Sequence, residues 1–288
     1  MAVKFFGQFL VEQGAVTSEA LLHAIELQDR TNLKLGEMAV AMGYITPNDI
    51  ERAHSAQLSK DMKLGDLLVE LCILSPAQLQ EIIDRQKATH LYIGEALVKV
   101  GALTPDKLDH FLAAFKADQA PYVSERIELP DGLAARDIWE TTVDLTYKMI
   151  TRVLGIQFRP GKCQEVNQLN TNLMIAGMDF SGDAAARYLL SVSTGLQKTI
   201  ARAILKEDNV DQEPQEVLED TVMEFVNIIC GNVVAKVSQS GISLDINPPI
   251  TIHPPQSGLP VPDGYRALLF PIHIGDDEVM ELALFIKH

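Results

Sequence analysis

Asp220-Thr-Val-Met-Glu224-Phe-Val-Asn227-Ile-Ile-Cys-Gly231-Asn232 is the stretch on which the reading of the C-terminal half turns. At about 100° per residue, Asp220, Glu224, Asn227 and Gly231 fall on one narrow stripe of a helix. Leu218, Val222, Phe225, Val226, Ile229 and Val233 crowd the opposite side. The pattern predicts a helix anchored by its apolar face, with a carboxylate and an amide standing side by side on the other. Gly231, one turn beyond the amide, leaves space for another molecule to approach. Such a pair can grip a cation and orient a water. The same pattern also describes a plain solvated amphipathic face.

Working outward, the helix extends from about Pro214 to Ser238, with proline in its first turn. Upstream, Leu133–Leu154 reads as a helix ending at Gly155, and Thr194–Leu205 as another. Leu173–Phe180 and Arg187–Val192 have strand character and are joined by Ser181-Gly182-Asp183, a hairpin-like turn. Downstream, Ile242–Ile246 is a short strand stopped by Asn247-Pro248-Pro249. Two further strand-like runs, Tyr265–Ile274 and Val279–Ile286, flank a Gly275-Asp276-Asp277 turn. The expected architecture is α+β, a largely antiparallel sheet with helices on one side.

These motifs resemble those of the CheC/CheX/FliY phosphatases of bacterial chemotaxis. That family carries Asp/Ser-x-x-x-Glu-x-x-Asn on a helix, with a proline about twenty residues later. Here Asp220, Glu224 and Asn227 fit the pattern, followed by Pro248 and Pro249. Asn-x-x-x-Gly-Asn (Asn227 to Asn232), Phe180-Ser181-Gly182 and the Leu-Asp-Ile-Asn-Pro-Pro segment are shared as well. The resemblance spans about residues 130–288, and a single Glu-x-x-Asn copy is similar to the CheX branch. It implies removal of phosphate from the phospho-aspartate of a CheY-like receiver domain. Asn227 would orient the attacking water, and Glu224 would pair with a receiver lysine. Asp220, Gly231 and Asn232 would have supporting or structural parts. Mg²⁺ would sit on the receiver, no cofactor belongs to this chain, and a homodimer through the sheet is implied.

The first 116 residues repeat with a period of 29. Gly7, Gly36, Gly65 and Gly94 are followed by Gly14, Gly43, Cys72 and Gly101, then by Thr17, Thr46, Ser75 and Thr104, then by Leu21, Ile50, Leu79 and Leu108. A period held over four copies predicts a repeat architecture. The Thr/Ser is a helix N-cap, with Pro47, Pro76 and Pro105 at the first helical position. The glycine before it suits a helix end in the left-handed conformation. Each unit is thus a short helix, a tight turn and a longer helix, too small to fold without its neighbours.

This region, residues 4–116, resembles the repeat domain at the N-terminus of type II secretion and type IV pilus ATPases, the MshE N-terminal domain. Leu35-Gly36, Gly43, Ile45, Ile50 and Gln57 fit that pattern, as do Leu64-Gly65, Leu67-Leu68, Leu74, Leu79, Ile83 and Gln86. Some members bind cyclic di-GMP between adjacent copies. The family's leading arginine is replaced by Phe5, Lys34, Lys63 and Tyr92. Lysine keeps the charge but lacks the planar fork that grips phosphate or guanine bidentately. A nucleotide site would therefore fall to Lys34, Gly36, Lys63 and Gly65, and a protein-docking role needs no nucleotide at all.

The domain expectation is four repeats over 1–118, a linker at 119–131 and a phosphatase-like domain over 132–288. Net charge is −15, and residues 1–120 alone hold 11 basic against 16 acidic side chains. Neither half offers the clustered Lys and Arg that nucleic acid or anionic lipid requires. Three scattered cysteines suit a reducing cytoplasm, and the first residues read as lacking an export signal. No HExxH, Walker or GxSxG motif occurs. His253 and His273 read as structural, and Trp139 as core. The competing functional class is a non-catalytic module that binds receivers, cyclic di-GMP or a secretion or motility partner.

Overall fold

A computed structural model describes residues 5–57, 60–119, 127–171, 173–275 and 278–287. The chain divides into two compact units, one within residues 4–121 and the other from residue 122 onward. The first is all α and the second is α+β.

The first unit alternates short and long helices: α1 (Phe6–Glu12), α2 (Ser18–Thr31), α3 (Leu35–Ala41), α4 (Pro47–Gln57), α5 (Leu64–Glu70), α6 (Pro76–Thr89), α7 (Ile93–Lys99) and α8 (Pro105–Gln119). Thr17 and Ser75 accept backbone N–H bonds from Ala20 and Gln78, each at 3.2 Å, and so cap α2 and α6. Gly14, Gly43 and Gly101 take positive φ at the end of a short helix. Cys72 occupies the same step with φ 56°, a conformation that costs a side-chain-bearing residue roughly 1 kcal/mol. The other periodic glycine serves close approach. A Cβ added at Gly7, Gly36 or Gly65 would come within 3.0 Å of Leu21, Ile50 or Leu79, the partner of its own repeat.

The four copies do not form a single neighbour-on-neighbour stack. Phe6, Phe9, Leu10 and Ala24 of copy one share a core with Leu91, Ala96, Leu97 and Leu103 of copy four. Met38, Ala39, Ile45 and Ala53 of copy two share another with Leu67, Leu68, Leu74 and Ile82 of copy three. Glutamines at one repeat position tie each pair. Gln86 Nε2 donates to the Leu33 carbonyl at 2.9 Å and Gln57 Nε2 to that of Met62 at 2.9 Å. Gln28 Nε2 donates to the Leu91 carbonyl at 3.0 Å. In copy four the equivalent residue is Phe115, which packs against the rings of Phe6 and Phe9 instead.

The second unit begins with α9 (Arg136–Met149), which passes into a π-helical turn, Ile150–Leu154, and stops at Gly155 with φ 66°. The expected start at Leu133 is displaced to Arg136, because Ala135 is left-handed (φ 54°) and Trp139 Nε1 bonds back to the Ala134 carbonyl at 2.9 Å. There follow β1 (Phe158–Pro160), β2 (Gln164–Val166), β3 (Gln168–Leu169), β4 (Met174–Gly182), β5 (Ala186–Val192), α10 (Thr194–Leu205), α11 (Gln215–Ser238), β6 (Leu244–Ile246), β7 (Ile250–Ile252), β8 (Leu259–Pro260), β9 (Tyr265–Ile274) and β10 (Glu278–Lys287). The short strand expected from Ile242 starts only at Leu244. The two-to-three-residue strands β1, β2, β3, β7 and β8 lie outside the sequence expectation. Asp276 and Asp277 of the expected closing turn, and most of the expected linker, fall outside the described residues.

The main sheet runs β1-β9-β10-β5-β4-β6, with β2 also on β9 and β7 also on β4. Every described pairing is antiparallel. One face carries Tyr188, Leu190, Phe270, Leu282 and Leu284 and packs against Trp139, Val143, Ile200, Phe225 and Ile229 of the helices. The other face carries Leu189, Ala267 and Phe285, packed with Leu169 and Leu259 of the β3–β8 ribbon. α11 has the length and apolarity to cross a membrane, and here it is the central helix of this core.

Candidate functional site

α11 is held by burial. Leu218, Val222, Phe225, Val226, Ile229 and Val233 are each 3% exposed or less. Burying such side chains contributes about 1.5–3 kcal/mol apiece, which fixes the rotation of the helix. That rotation turns Asp220, Glu224 and Asn227 out to solvent. Asn227 Nδ2 donates to Glu224 Oε2 at 3.4 Å, so amide and carboxylate touch. A Cβ added at Gly231 would meet nothing within 4 Å, so the surface one turn beyond the amide is open. Asn232 is turned inward, 5% exposed, and its Nδ2 bonds the Ile228 carbonyl at 2.8 Å, a structural role.

The site's flank is made by β7, which sequence alone did not reveal. Thr251 Oγ1 donates to Met223 Sδ at 3.2 Å. His253 Nε2 lies 3.4 Å from Glu219 Oε2. Glu219, Met223 and Asn227 are successive i, i+4 positions, so these contacts run along the row that ends at the amide. His253 is thereby an exposed residue beside the site. The only signal for it in the sequence was its distance of a few residues from Pro248-Pro249.

Other candidates stand elsewhere. His273 is half-buried in β9, and burial lowers its pKa from 6.5. Trp139 is sealed in the core at 1% exposure. Lys34 and Lys63 are exposed residues at the N-caps of α3 and α5, in the two copies that share one core. Gly36 and Gly65 are buried against Ile50 and Leu79. Among the described residues no group of three or more His, Cys, Asp or Glu could hold a metal ion.

Chemically, the pair is suited to positioning. The amide both donates and accepts, which suits it to orienting a water against a phosphoryl group. The carboxylate is acceptor-only when ionised and suits a partner's ammonium group.

Residues 174–273 match the family model described as Chemotaxis phosphatase CheX. The match takes in β4, α11, β7 and nearly all of β9, and leaves the first unit outside. No curated protein matches the chain. Among solved structures, the complex of CheX with CheY, BeF3 and Mg from Borrelia burgdorferi is similar at 21% identity, covering 53% of this chain and 99% of that one, with a TM-score of 0.46. CheX from Desulfovibrio desulfuricans is similar at 17% identity, covering 52% and 99%, with a TM-score of 0.45. FliY from Thermotoga maritima is similar at 15% identity, covering 54% and 91%, with a TM-score of 0.41. Over the segment that carries Asp220, Glu224 and Asn227, the chain is similar to the CheX chemotaxis phosphatases.

Proposed function

We propose that the second unit removes the phosphoryl group from the phospho-aspartate of a CheY-like receiver domain. The observation that carries this is the Glu224–Asn227 pair, touching and solvent-facing on a rigidly seated helix inside the CheX-matching segment. Asn227 enters the receiver's site and orients the attacking water. Glu224 pairs with a receiver lysine and holds the helix in register. In-line hydrolysis of an acyl phosphate asks for positioning and charge neutralisation more than for a nucleophile, and Mg²⁺ on the receiver supplies the latter. Asp220 and Gly231 border the docking face. A cytoplasmic location and a homodimer go with this reading. The experiment is loss of label from a phosphorylated receiver. Acceleration by this protein, abolished in Asn227→Ala with the fold intact, is the expected outcome. Full activity in that variant refutes the assignment.

A second reading concerns the first unit. Lys34 and Lys63 open equivalent helices of the two copies that share a core, the arrangement a ligand bridging two copies would need. We propose cyclic di-GMP as that ligand. Calorimetry on the full chain should give heat that Lys34→Ala and Lys63→Ala each reduce. No heat in the unaltered chain removes the nucleotide and leaves a protein-docking role.

A further inference from the structure

The water-facing apolar side chains of the first unit are not shared evenly among its copies. Among the described residues, its exposed large apolar side chains are Leu22, Ile25, Tyr92, Val100 and Leu112. All five belong to copies one and four, the pair that shares one core. The repeat supplies its own control. At the step of Leu22, copies two, three and four carry Glu51, Gln80 and Asp109, each exposed, as a solvated helix position should. Copy one alone places leucine there, 60% exposed. Ile25, 37% exposed, follows one turn later on the same side of α2. Gln28 and Asn32 continue that flank and hold the Leu91 carbonyl at 3.0 and 2.8 Å, which brings Tyr92 to the C-terminal end of the stripe. Tyr92 is 65% exposed, and its ring is braced edge-on by His90 at 4.6 Å.

We propose that Leu22, Ile25 and Tyr92 form a docking site for an amphipathic helix of another protein, one whose apolar row is bordered by lysine or arginine. Apolar anchors three residues apart and a tyrosine beside them suit a helix laid along α2. A ring already held in place loses little freedom on binding. The border of the stripe is acidic. Glu19, Glu26 and Asp29 are exposed, and Arg30, the one Lys or Arg of α2, lies 3.9 Å from Glu26. Charge complementarity therefore selects a basic partner. It disfavours a second copy of this chain, because an antiparallel pair of α2 stripes sets Glu19 of one beside Glu26 of the other. Anionic lipid is disfavoured for the same reason. The site uses none of the residues of the nucleotide or phosphatase readings and depends on neither.

The test uses the full chain and a fluorescent peptide with leucine along one helical row and lysine on both borders. Anisotropy should report saturable binding to the unaltered protein. Leu22→Glu installs the residue type that copy two carries at this step, so the melting temperature should hold. It should weaken binding about tenfold or more although it adds negative charge, which separates an apolar contact from plain attraction between charges. Tyr92→Ala should weaken binding about tenfold as well. Glu19→Gln combined with Asp29→Asn should weaken it about threefold and flatten its dependence on salt. A matched peptide with glutamate borders should bind at least about tenfold more weakly. The proposal is overturned by no binding of the lysine-bordered peptide, by equal binding of the glutamate-bordered one, or by unchanged affinity in Leu22→Glu or in Tyr92→Ala. A dimer in sedimentation that Leu22→Glu converts to monomer gives the face to a second copy and overturns it too. Recovery on phosphatidylglycerol vesicles that the same change abolishes gives the face to lipid, with the same consequence.

Discussion

The second unit carries two polar patches that differ in kind. On α11, Asp220, Glu224 and Asn227 stand in water. On the sheet face away from α11, Ser191 and Glu281 are paired across β5 and β10, with His273 nearby on β9. Ser191 is 1% exposed and its hydroxyl has no hydrogen-bond partner among the described residues. Burial raises the Glu281 pKa above its ordinary 4.5 and lowers that of His273 below 6.5. Shifted pKa values are a frequent sign of function, and here they point away from the candidate site. A site that orients water for a partner needs geometry, not an unusual titration. The groups that titrate unusually do so because apolar neighbours surround them.

The largest expected effect tests the first half of this contrast. Asn227→Ala should lower the receiver dephosphorylation rate about 100-fold or more, as loss of a positioning group does. Its thermal unfolding should be unchanged, since the side chain is exposed. Next, Glu224→Gln should act mainly on docking, raising the half-saturating receiver concentration about tenfold with a smaller change in maximal rate. Either variant unfolding early would mean that the outward face is structural after all.

The sheet-face patch should behave in the opposite way, altering stability and leaving turnover alone. Ser191→Ala removes an unpaired buried hydroxyl and should stabilise by about 1 kcal/mol. Glu281→Gln should raise the melting temperature at pH 7. The sign follows from the raised folded pKa: above the ordinary value, the unfolded chain hydrates this carboxylate better than the folded one does. The gain should vanish once the pH falls below about 4.5, where both states are protonated. For His273, burial favours the neutral ring, so stability should decline as the pH falls through 6.5, and His273→Gln should blunt that decline. A loss of phosphatase rate in any of these three variants would break the comparison.

What the sequence disclosed depended on how local its signals were. The stripe on α11 was legible because a 3.6-residue period runs unbroken from Leu218 to Val233. The alternation of short and long helices was legible because a Thr or Ser follows each short helix, with Pro47, Pro76 and Pro105 opening three of the four long ones. The hairpin at Gly182 and the two long closing strands were legible from their length and turn residues. β7 was not, because three residues cannot display an alternation. Nor was the approach of His253 to Glu219, 34 positions away, which depends on how β4 recruits β7. Which copies pair was hidden for a different reason: a period gives the order of the copies along the chain and cannot say that copy one belongs with copy four.

That pairing has a consequence for how the protein comes into being. Leu10 and Leu97 bury each other's surroundings, yet nearly the whole unit separates them along the chain. During synthesis, copies two and three can close together as soon as both have left the ribosome. Copy one must wait, its apolar side uncovered, until copy four arrives. Losing or gaining a single copy would strand a helix pair without its mate.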